Sequence, residues 1–217
     1  MRRPWVQIAI DATTTEEGLR LARMAVEAGA DWIEAGTPLI TFEGVRAIRA
    51  LADVAAGCVV VADFKAQDGV EKYFREAGRQ GAGVATVLAT SPDASILAAI
   101  RGGRAAGVEV MADLYALRLE EMGCRAREVQ DLGVDHVMIH RGHDEAHADP
   151  SLGCLDGLDD VLASVSVPVG VSTFEKREAV EAVRRGAAFV VQGHPILSAP
   201  DAAEQLREFI EAVKGAA

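Results

Sequence analysis

Two charged residues that could do chemistry, Asp63 and Lys65, follow the apolar run from Cys58 to Ala62. Residues two apart in a strand point to one face, so we expect these two side chains to lie together. A charge on the buried side of such a run is costly unless it is paired or used. Asp68 follows three residues later, where it could join the same chemistry or cap the next helix. This segment is therefore the first candidate for an active site.

Polar residues also stand at the ends of other apolar runs that resemble strands. With the first segment they form the set Asp11, Glu34, Asp63, Lys65, Asp113, His140, Arg141, Ser172, Thr173, Gly193 and His194. Strand ends are commonly wet, so any one of these could be an ordinary solvated residue. In a barrel of parallel strands, however, the carboxyl ends meet at one mouth, where the active site lies. Carboxylates from three strands beside a lysine could there hold a hard cation and stabilise an enolate.

The elements that must position these residues alternate between apolar runs and amphipathic segments. Eight runs predict strands that begin near Trp5, Asp31, Cys58, Gly83, Val108, Asp135, Val167 and Ala188. Continuous apolar runs are typical of parallel strands that are covered on both faces. Glycines such as Gly29 and Gly81 stand before several strands, where they suit the caps of the preceding helices. The segment from Asp201 to Lys214 predicts the final helix.

This order of elements predicts a single domain, residues 1–217, with the fold of a (β/α)8 TIM barrel. The length of 217 residues fits the ~200–250 residues that such a barrel needs. An open, doubly wound sheet is the alternative, but it usually carries a GxGxxG turn after its first strand. The segment DATTTEEG at that position lacks those glycines. Trp5 and Trp32 flank strand starts and are expected to pack at the bottom of the barrel.

Composition and charge argue against several classes of protein. The formal net charge is −11 and no basic run is present, whereas nucleic-acid binding needs a basic face. The longest apolar stretches fall well short of the ~18 residues of a membrane span, and the N-terminus lacks a signal-peptide pattern. Three widely spaced cysteines favour a reducing compartment. We therefore expect a soluble, cytoplasmic protein without nucleic-acid or membrane partners.

Four closely spaced histidines, His136, His140, His143 and His147, raise the alternative of a zinc site. On one helix that spacing would gather the ligands on one face. His136 and His140 belong to a predicted strand, however, and no thiolate stands nearby. Zinc is therefore disfavoured, and His147 is interpreted as a solvated loop residue.

The segment from Asp63 to Asp68, DFKAQD, matches the DxKxxD motif of the orotidine 5′-monophosphate decarboxylase suprafamily. The resemblance spans the whole chain and includes the segments IAIDATTTEEGL, WIEAGTPLITFEGVRAIRAL, LGVDHVMIHRGHD and QGHPILSAPDA. The chain most resembles the branch of 3-hexulose-6-phosphate synthases and 3-keto-L-gulonate-6-phosphate decarboxylases. The orotidylate enzymes carry a lysine on the second strand. This chain has Glu34 there, as the Mg²⁺-dependent sugar-phosphate branch does.

The resemblance implies roles for the residues that match the motif. Glu34 and Asp63 would hold Mg²⁺, which binds the oxygens of a 1,2-enediolate intermediate. Lys65 would stabilise the same negative charge, and His140 would move protons. The resemblance also implies a homodimer with shared active sites, in which Asp68 reaches into the site of the neighbouring subunit.

Two reactions in this branch share the enediolate. The synthase makes it by removing a proton from ribulose 5-phosphate and adds it to formaldehyde, whereas the decarboxylase makes it by losing CO₂. The synthases carry Asp on the fifth strand where the decarboxylases carry Glu, so Asp113 favours the aldolase. Asp11 would bind substrate hydroxyls. The segment HRGHD shares features with the HTGYD pattern of the synthases and the HRSRD pattern of the decarboxylases. By the resemblance, Arg141 and His143 in this segment would be further substrate-binding residues.

The loops after strands seven and eight depart from the family pattern. The family usually has GG in the first loop and GGG or GR in the second, whereas this chain has GVSTFEK and QGHP. Proline removes an amide donor, while hydroxyls and imidazole can bind phosphate oxygens in its place. The loops 170–173 and 192–198 are therefore expected to hold phosphate through Ser172, Thr173, Gly193 and His194. A different substrate, or a non-catalytic phosphosugar-binding protein, is the alternative.

Overall fold

The computed structural model describes residues 3–149 and 151–216. In this part of the chain the strands are β1 (Trp5–Ile10), β2 (Trp32–Ala35), β3 (Val59–Ala66), β4 (Val84–Leu88), β5 (Glu109–Asp113), β6 (His136–Ile139), β7 (Val169–Ser172) and β8 (Phe189–Gln192). The helices are α1 (Thr15–Ala28), α2 (Thr37–Glu43), α3 (Arg46–Val54), α4 (Val70–Gln80), α5 (Asp93–Ala106), α6 (Leu119–Leu132), α7 (His143–Ala148), α8 (Leu158–Ser164), α9 (Lys176–Arg184) and α10 (Ala202–Lys214). A 3-10 turn, Ile196–Ser198, precedes α10.

The strands form a closed parallel barrel in which each strand pairs with the next and β8 pairs with β1. This confirms the predicted (β/α)8 barrel, and each strand begins within two residues of its predicted start. Ala9 of β1 lies opposite Glu34 of β2, which lies opposite Val61 of β3. The carboxyl ends of the strands therefore open on one mouth, as the sequence predicts.

The junctions between helices and strands show why the chain turns where it does. Gly29 ends α1 with a φ of 92°, a conformation that glycine adopts cheaply, and its N–H donates to the carbonyls of Ala25 and Val26. At the other end of α1, the hydroxyl of Thr14 accepts from the amide of Glu17 at 3.3 Å. Among the described residues, no helix is both long and apolar enough to cross a membrane.

Apolar side chains fill the inside of the barrel below the mouth. This interior cluster consists of Ala9, Trp32, Val61, Val84, Met111, Met138, Phe189 and Val191, with Trp5, Val59 and Ala188 packed against it. The rings of Trp5 and Trp32 are stacked with centroids 5.1 Å apart. The ring of Phe189 lies 5.4 Å from that of Trp32. The structure confirms that the two tryptophans are packing residues at the bottom of the barrel.

The four histidines do not form one cluster. His136 lies at the start of β6, where Nε2 is 2.7 Å from Glu109 Oε2 and the ring packs edge-on against Trp32. His140 lies past the other end of the same strand. His147 lies on the exposed surface of α7, so its interpretation as a loop residue is wrong. A shared zinc site is incompatible with this separation.

Candidate active site

A pocket of about 420 Å³ opens at the mouth of the barrel, and we call it the mouth pocket. It brings together most of the residues selected from the sequence, namely Asp11, Glu34, Asp63, Lys65, His140, Arg141, His143, Ser172, Thr173, Gly193 and His194. Asp113 lies behind His140 and is fully buried. Asp68 lies in a separate depression. The carboxyl ends of the strands therefore create one site with both carboxylates and cations.

Lys65 and Asp63 form an ion pair within the mouth pocket. The Asp63 carboxylate also accepts hydrogen bonds from Thr37 Oγ1 at 2.7 Å and Thr86 Oγ1 at 2.8 Å. Burial alone would raise the pKa of Asp63, but Lys65 and Thr37 outweigh it and hold that pKa below its usual value. Burial would likewise lower the pKa of Lys65, but Asp63 and other nearby carboxylates raise it. Both groups are therefore charged at neutral pH.

The backbone at Lys65 departs from a regular strand. Its φ is 44°, in the left-handed region, and the register with β4 shifts between Ala62 and Ala66. The amide of Lys65 donates to Thr86 Oγ1 at 3.0 Å. The prediction that the side chains of Asp63 and Lys65 meet is confirmed, and the strand that carries them is irregular at Lys65. Non-glycine residues in this region are strained, and such strain is concentrated at functional sites.

Glu34 and Asp11 add two further carboxylates to the mouth pocket. Glu34 is only 5% exposed, and its burial, with Asp63 and Asp11 nearby, raises its pKa well above the usual value. The side-chain amide of Gln7 donates a hydrogen bond to Glu34. Asp11 reaches solvent at the opening, but desolvation by the pocket walls and the charge of Asp63 raise its pKa. Three carboxyl groups therefore lie beside one ammonium on this side of the pocket.

This group of carboxyls suits a divalent cation, whose charge would favour their ionised forms. Glu34 and Asp63 supply the hard carboxylate oxygens that Mg²⁺ prefers. Within residues 3–149 and 151–216, no three His, Cys, Asp or Glu side chains are arranged as a metal-binding group. Mg²⁺ commonly takes only one or two protein carboxylates and completes its shell with water and substrate oxygens. The residues present therefore fit Mg²⁺.

His140 and Asp113 form a pair suited to proton transfer. His140 Nδ1 lies 2.8 Å from Asp113 Oδ2, and Asp113 Oδ1 accepts from the amide of Tyr115 at 3.0 Å. Burial alone would lower the pKa of His140, but the Asp113 carboxylate outweighs it and raises that pKa. Because Asp113 is fully buried, we expect it to act by holding His140 and not by direct contact with a substrate. Its bond to Nδ1 leaves Nε2 as the nitrogen available to a ligand.

The residues at the ends of β7 and β8 form the side of the mouth pocket between the ends of β6 and β1. Thr173 is buried, and its hydroxyl donates to the carbonyl of Val191 at 3.3 Å. His194 is exposed, and its Nδ1 lies 3.4 Å from Ser198 Oγ. Because the Thr173 hydroxyl is engaged by the protein, we expect Ser172 and His194 to contribute more to ligand binding than Thr173.

Two glycines on this side allow close packing. Gly170, which the sequence analysis placed in the first phosphate loop, lies inside β7, and a Cβ there would be 2.0 Å from Phe189 Cε2. The assignment of residues 170–172 and of Gln192 to loops is therefore wrong, because they lie within β7 and β8. The role of Gly170 is to admit the Phe189 ring. A Cβ at Gly193 would lie 2.7 Å from the carbonyl oxygen of Ala9, so the loop after β8 approaches β1 closely.

Arg141 and His143 complete the wall of the mouth pocket beside the phosphate loops. The ring centroids of His143 and His194 are 5.4 Å apart, and those of His143 and His147 are 4.3 Å apart. Arg141 donates to the backbone carbonyl of Asp149. Its buried Nε has no hydrogen-bond partner among the residues that the structure describes. This wall is therefore rich in groups that can bind an anion.

Asp68 occupies a depression next to the mouth pocket, lined also by Lys65, Thr41, Phe64 and Tyr73. It is exposed, and the N-cap position of α4 belongs to Gly69 without any side-chain cap bond. The suggestion that Asp68 caps the helix is therefore wrong. Among the described residues no hydrogen bond or ion pair joins Asp68 to Lys65 of the same chain.

Four residues that hold the charged groups in place were not predicted from the sequence: Gln7, Gly36, Thr37 and Thr86. Gln7 and Thr86 did carry a signal, because each is a buried polar residue inside an otherwise apolar strand. Gly36 carried no signal in the sequence, because its role is to let the Asp11 side chain pass close to the backbone. A Cβ at Gly36 would lie 2.1 Å from Asp11 Oδ1. Thr37 lies at the start of α2, where no periodic pattern marks it.

The chain is similar to a known family of proteins. Residues 4–209 match the model of the orotidine 5′-phosphate decarboxylase / HUMPS family. A 3-hexulose-6-phosphate synthase of Mycobacterium gastri is 35% identical over 209 residues, which cover 96% of this chain and 99% of that protein.

Solved structures agree in sequence and in shape. A crystal structure of 3-hexulose-6-phosphate synthase is 31% identical with a TM-score of 0.86, and the match covers 98% of this chain and 99% of that chain. The 3-hexulose-6-phosphate synthase structure from Salmonella typhimurium is 26% identical with a TM-score of 0.89, covering 98% and 100%. The family model, which matches nearly the whole chain, shows that this protein belongs to the orotidine 5′-phosphate decarboxylase / HUMPS family.

Proposed function

We propose that this chain is a carbon–carbon lyase, an Mg²⁺-dependent aldolase that works through a 1,2-enediolate of a sugar phosphate. The single observation that carries the proposal is that the Lys65–Asp63 ion pair and the His140–Asp113 pair converge on one pocket. Formation of an enediolate needs a base for the proton and a fixed positive charge for the oxyanion. The relatives named 3-hexulose-6-phosphate synthase support a hexulose 6-phosphate as the product. The family resemblance implies ribulose 5-phosphate and formaldehyde as the substrates.

The first step is removal of a proton from C1 of ribulose 5-phosphate. Nε2 of His140 takes this proton, while Asp113 holds the imidazole through Nδ1. The electron pair of the broken C–H bond forms the C1–C2 double bond, and the C2 oxygen becomes negative. The ammonium of Lys65 stabilises that oxygen, and Asp11 holds substrate hydroxyls. Glu34 and Asp63 would hold Mg²⁺, which would supply further positive charge to stabilise the oxyanion.

The second step joins the enediolate to the aldehyde. The electron pair of the C1–C2 double bond attacks the carbonyl carbon of formaldehyde while the C2 oxygen returns to a carbonyl. A carbon–carbon bond thus forms, the C–O double bond of the aldehyde becomes single and the aldehyde oxygen becomes negative. Protonated His140 then returns a proton to that oxygen, which completes the hexulose 6-phosphate. The phosphate group would lie between the loops after β7 and β8, where Ser172 and His194 line the pocket. The amide of Gly193 would contribute a further donor.

The pH dependence of the reaction follows from the His140–Asp113 pair. As a base His140 must be neutral, so kcat/KM should fall as the pH drops through the raised pKa of this imidazole. Asp113→Asn removes the charge that raises that pKa, so the acidic limb of the pH profile should move to lower pH. A profile of kcat/KM against pH for both proteins checks this. An acidic limb at the same pH in a folded Asp113→Asn protein would contradict the role of His140 as base.

The position of Asp68 bears on how the subunits assemble. We propose a homodimer in which Asp68 completes the site of the partner subunit, because Asp68 is exposed beside Lys65 yet is not bonded to it. The exposed rings of Phe42 and Tyr73 supply apolar surface that an interface would cover. Inactive Lys65→Ala and Asp68→Asn subunits should regain activity when mixed. One of the two sites in each heterodimer would then be complete, giving about half of the wild-type activity in isolated heterodimers and about a quarter in a statistical mixture.

Two mixtures control this complementation experiment. Each variant mixed with itself should stay inactive, and heterodimer formation is verified with differently tagged subunits. Verified heterodimers without activity would show that each site is built from one chain.

The reaction itself is tested by supplying both possible substrates. We expect the protein with Mg²⁺ to consume ribulose 5-phosphate only when formaldehyde is present, with hexulose 6-phosphate as the product. The same preparation is then given 3-keto-L-gulonate 6-phosphate, and release of CO₂ is measured. Faster decarboxylation than aldol addition would assign the chain to the alternative reaction.

A further inference from the structure

A glutamine lies inside the barrel, below the mouth pocket. Gln7 is fully buried. Trp5 and Ala9, which share its face of β1, both pack in the interior cluster. The strand register places Gln7 opposite Trp32 of β2 and Val191 of β8, two further members of that cluster. A polar amide is therefore held among apolar side chains.

Only part of the Gln7 amide forms hydrogen bonds at this position. Nε2 of Gln7 donates to Oε2 of Glu34, but Oε1 of Gln7 is buried and has no hydrogen-bond partner within the described residues. A buried carbonyl oxygen without a donor destabilises the folded state. Methionine has a similar size and would avoid that penalty. The fold alone therefore gives no reason for a glutamine here, and its one bond to Glu34 is what distinguishes it from an apolar residue.

We propose that Gln7 is a positioning residue. It fixes the carboxylate of Glu34 through Oε2, so that Oε1 of Glu34 is left to bind the cation. This inference rests on the proposed function, in which Glu34 holds Mg²⁺. A donor on one oxygen of a metal-binding carboxylate orients the other oxygen, and loss of such a partner typically weakens metal binding by about 10–100-fold. The same N–H donation favours the ionised form of Glu34. It thus opposes the rise in the Glu34 pKa that burial causes.

Gln7→Met separates this role from a structural one. Mn²⁺, which also takes oxygen ligands, serves as the probe, and its binding to the full chain without substrate is followed by electron paramagnetic resonance. We expect the Kd for Mn²⁺ to rise about 10–100-fold and kcat to fall with it. The urea midpoint of the metal-free variant should stay close to that of the wild type, because removal of the unpaired carbonyl offsets loss of the donor to Glu34.

Gln192→Met is the matched control. Gln192 is also a buried glutamine at the end of a strand that borders β1. Its amide donates to the carbonyl of His194 at 3.0 Å and accepts from the hydroxyl of Thr173 at 3.3 Å, so it does not depend on Glu34. The same substitution here should leave the Kd for Mn²⁺ unchanged and lower the urea midpoint.

Three outcomes would overturn the inference. Unchanged Mn²⁺ binding in Gln7→Met would show that Glu34 does not need this bond. A urea midpoint that falls at least as far as in Gln192→Met would show that Gln7 serves the fold. Wild-type protein that binds no Mn²⁺ and turns over in excess chelator would instead show that the metal role proposed for Glu34 is wrong, and the role of Gln7 would fall with it.

Discussion

Replacing Lys65 with methionine is expected to lower kcat/KM by at least about 10²–10³-fold, the usual effect of removing one group that stabilises an oxyanion. The ammonium pairs with buried Asp63 in the mouth pocket, and neighbouring carboxylates keep it charged despite its burial. Methionine keeps much of the length of the side chain but removes the charge. Steady-state kinetics with ribulose 5-phosphate and formaldehyde measure the loss.

The control for this variant is Lys176→Met, which breaks an exposed ion pair with Glu208. That substitution should leave kcat/KM unchanged, because exposed ion pairs contribute little to stability and Lys176 lies outside the pocket. Lys65→Met leaves Asp63 buried without its partner, so urea unfolding must establish that the variant is folded. A folded Lys65→Met protein with kcat/KM within tenfold of the wild type would contradict the proposed role.

The second large effect is expected from Glu34→Gln. The amide has the shape of the carboxylate but no charge, so it is a far poorer ligand for Mg²⁺. We expect the Mg²⁺ concentration needed for half-maximal activity to rise by about 10²-fold or more, and kcat to fall. Isothermal titration with Mg²⁺ gives an independent measure of binding.

The fold should tolerate Glu34→Gln, because burial and the neighbouring carboxylates disfavour the ionised form of Glu34 in the metal-free protein. Glu43→Gln is a suitable control, since Glu43 is an exposed carboxylate at the end of α2. Wild-type turnover that continues undiminished in excess chelator would contradict the metal requirement. It would move the chain toward the metal-free branch of the family.

The sequence alone predicts the barrel well, because the signal is strong and local. Each strand is a continuous apolar run, and the glycine caps before several strands mark where the preceding helices end. The strand predicted to begin near Asp135 begins at His136, and the helix predicted from Asp201 begins at Ala202. The short helices α2 and α7 were not predicted, because six or seven residues are too few for an amphipathic period to emerge.

The candidate site could be predicted in composition but not in geometry. Parallel strands share one mouth, so polar strand ends such as Glu34 and His140 had to converge there. The left-handed backbone at Lys65 is invisible in the sequence, because no glycine marks it. The position of Asp113 behind His140 depends on side-chain packing across two strands. The role of Gly36 likewise depends on where the Asp11 side chain turns.

Solvent exchange at C1 of ribulose 5-phosphate tests the central claim most directly. The protein is incubated with Mg²⁺ and ribulose 5-phosphate in D₂O without formaldehyde, and the C1 proton signals are followed by nuclear magnetic resonance. We expect one C1 hydrogen to be replaced by deuterium in the wild type, because His140 would return a solvent deuteron to the enediolate. The exchange should be lost in Lys65→Met. Tight binding of ribulose 5-phosphate without any exchange would contradict enediolate chemistry and indicate a protein that only binds the sugar phosphate.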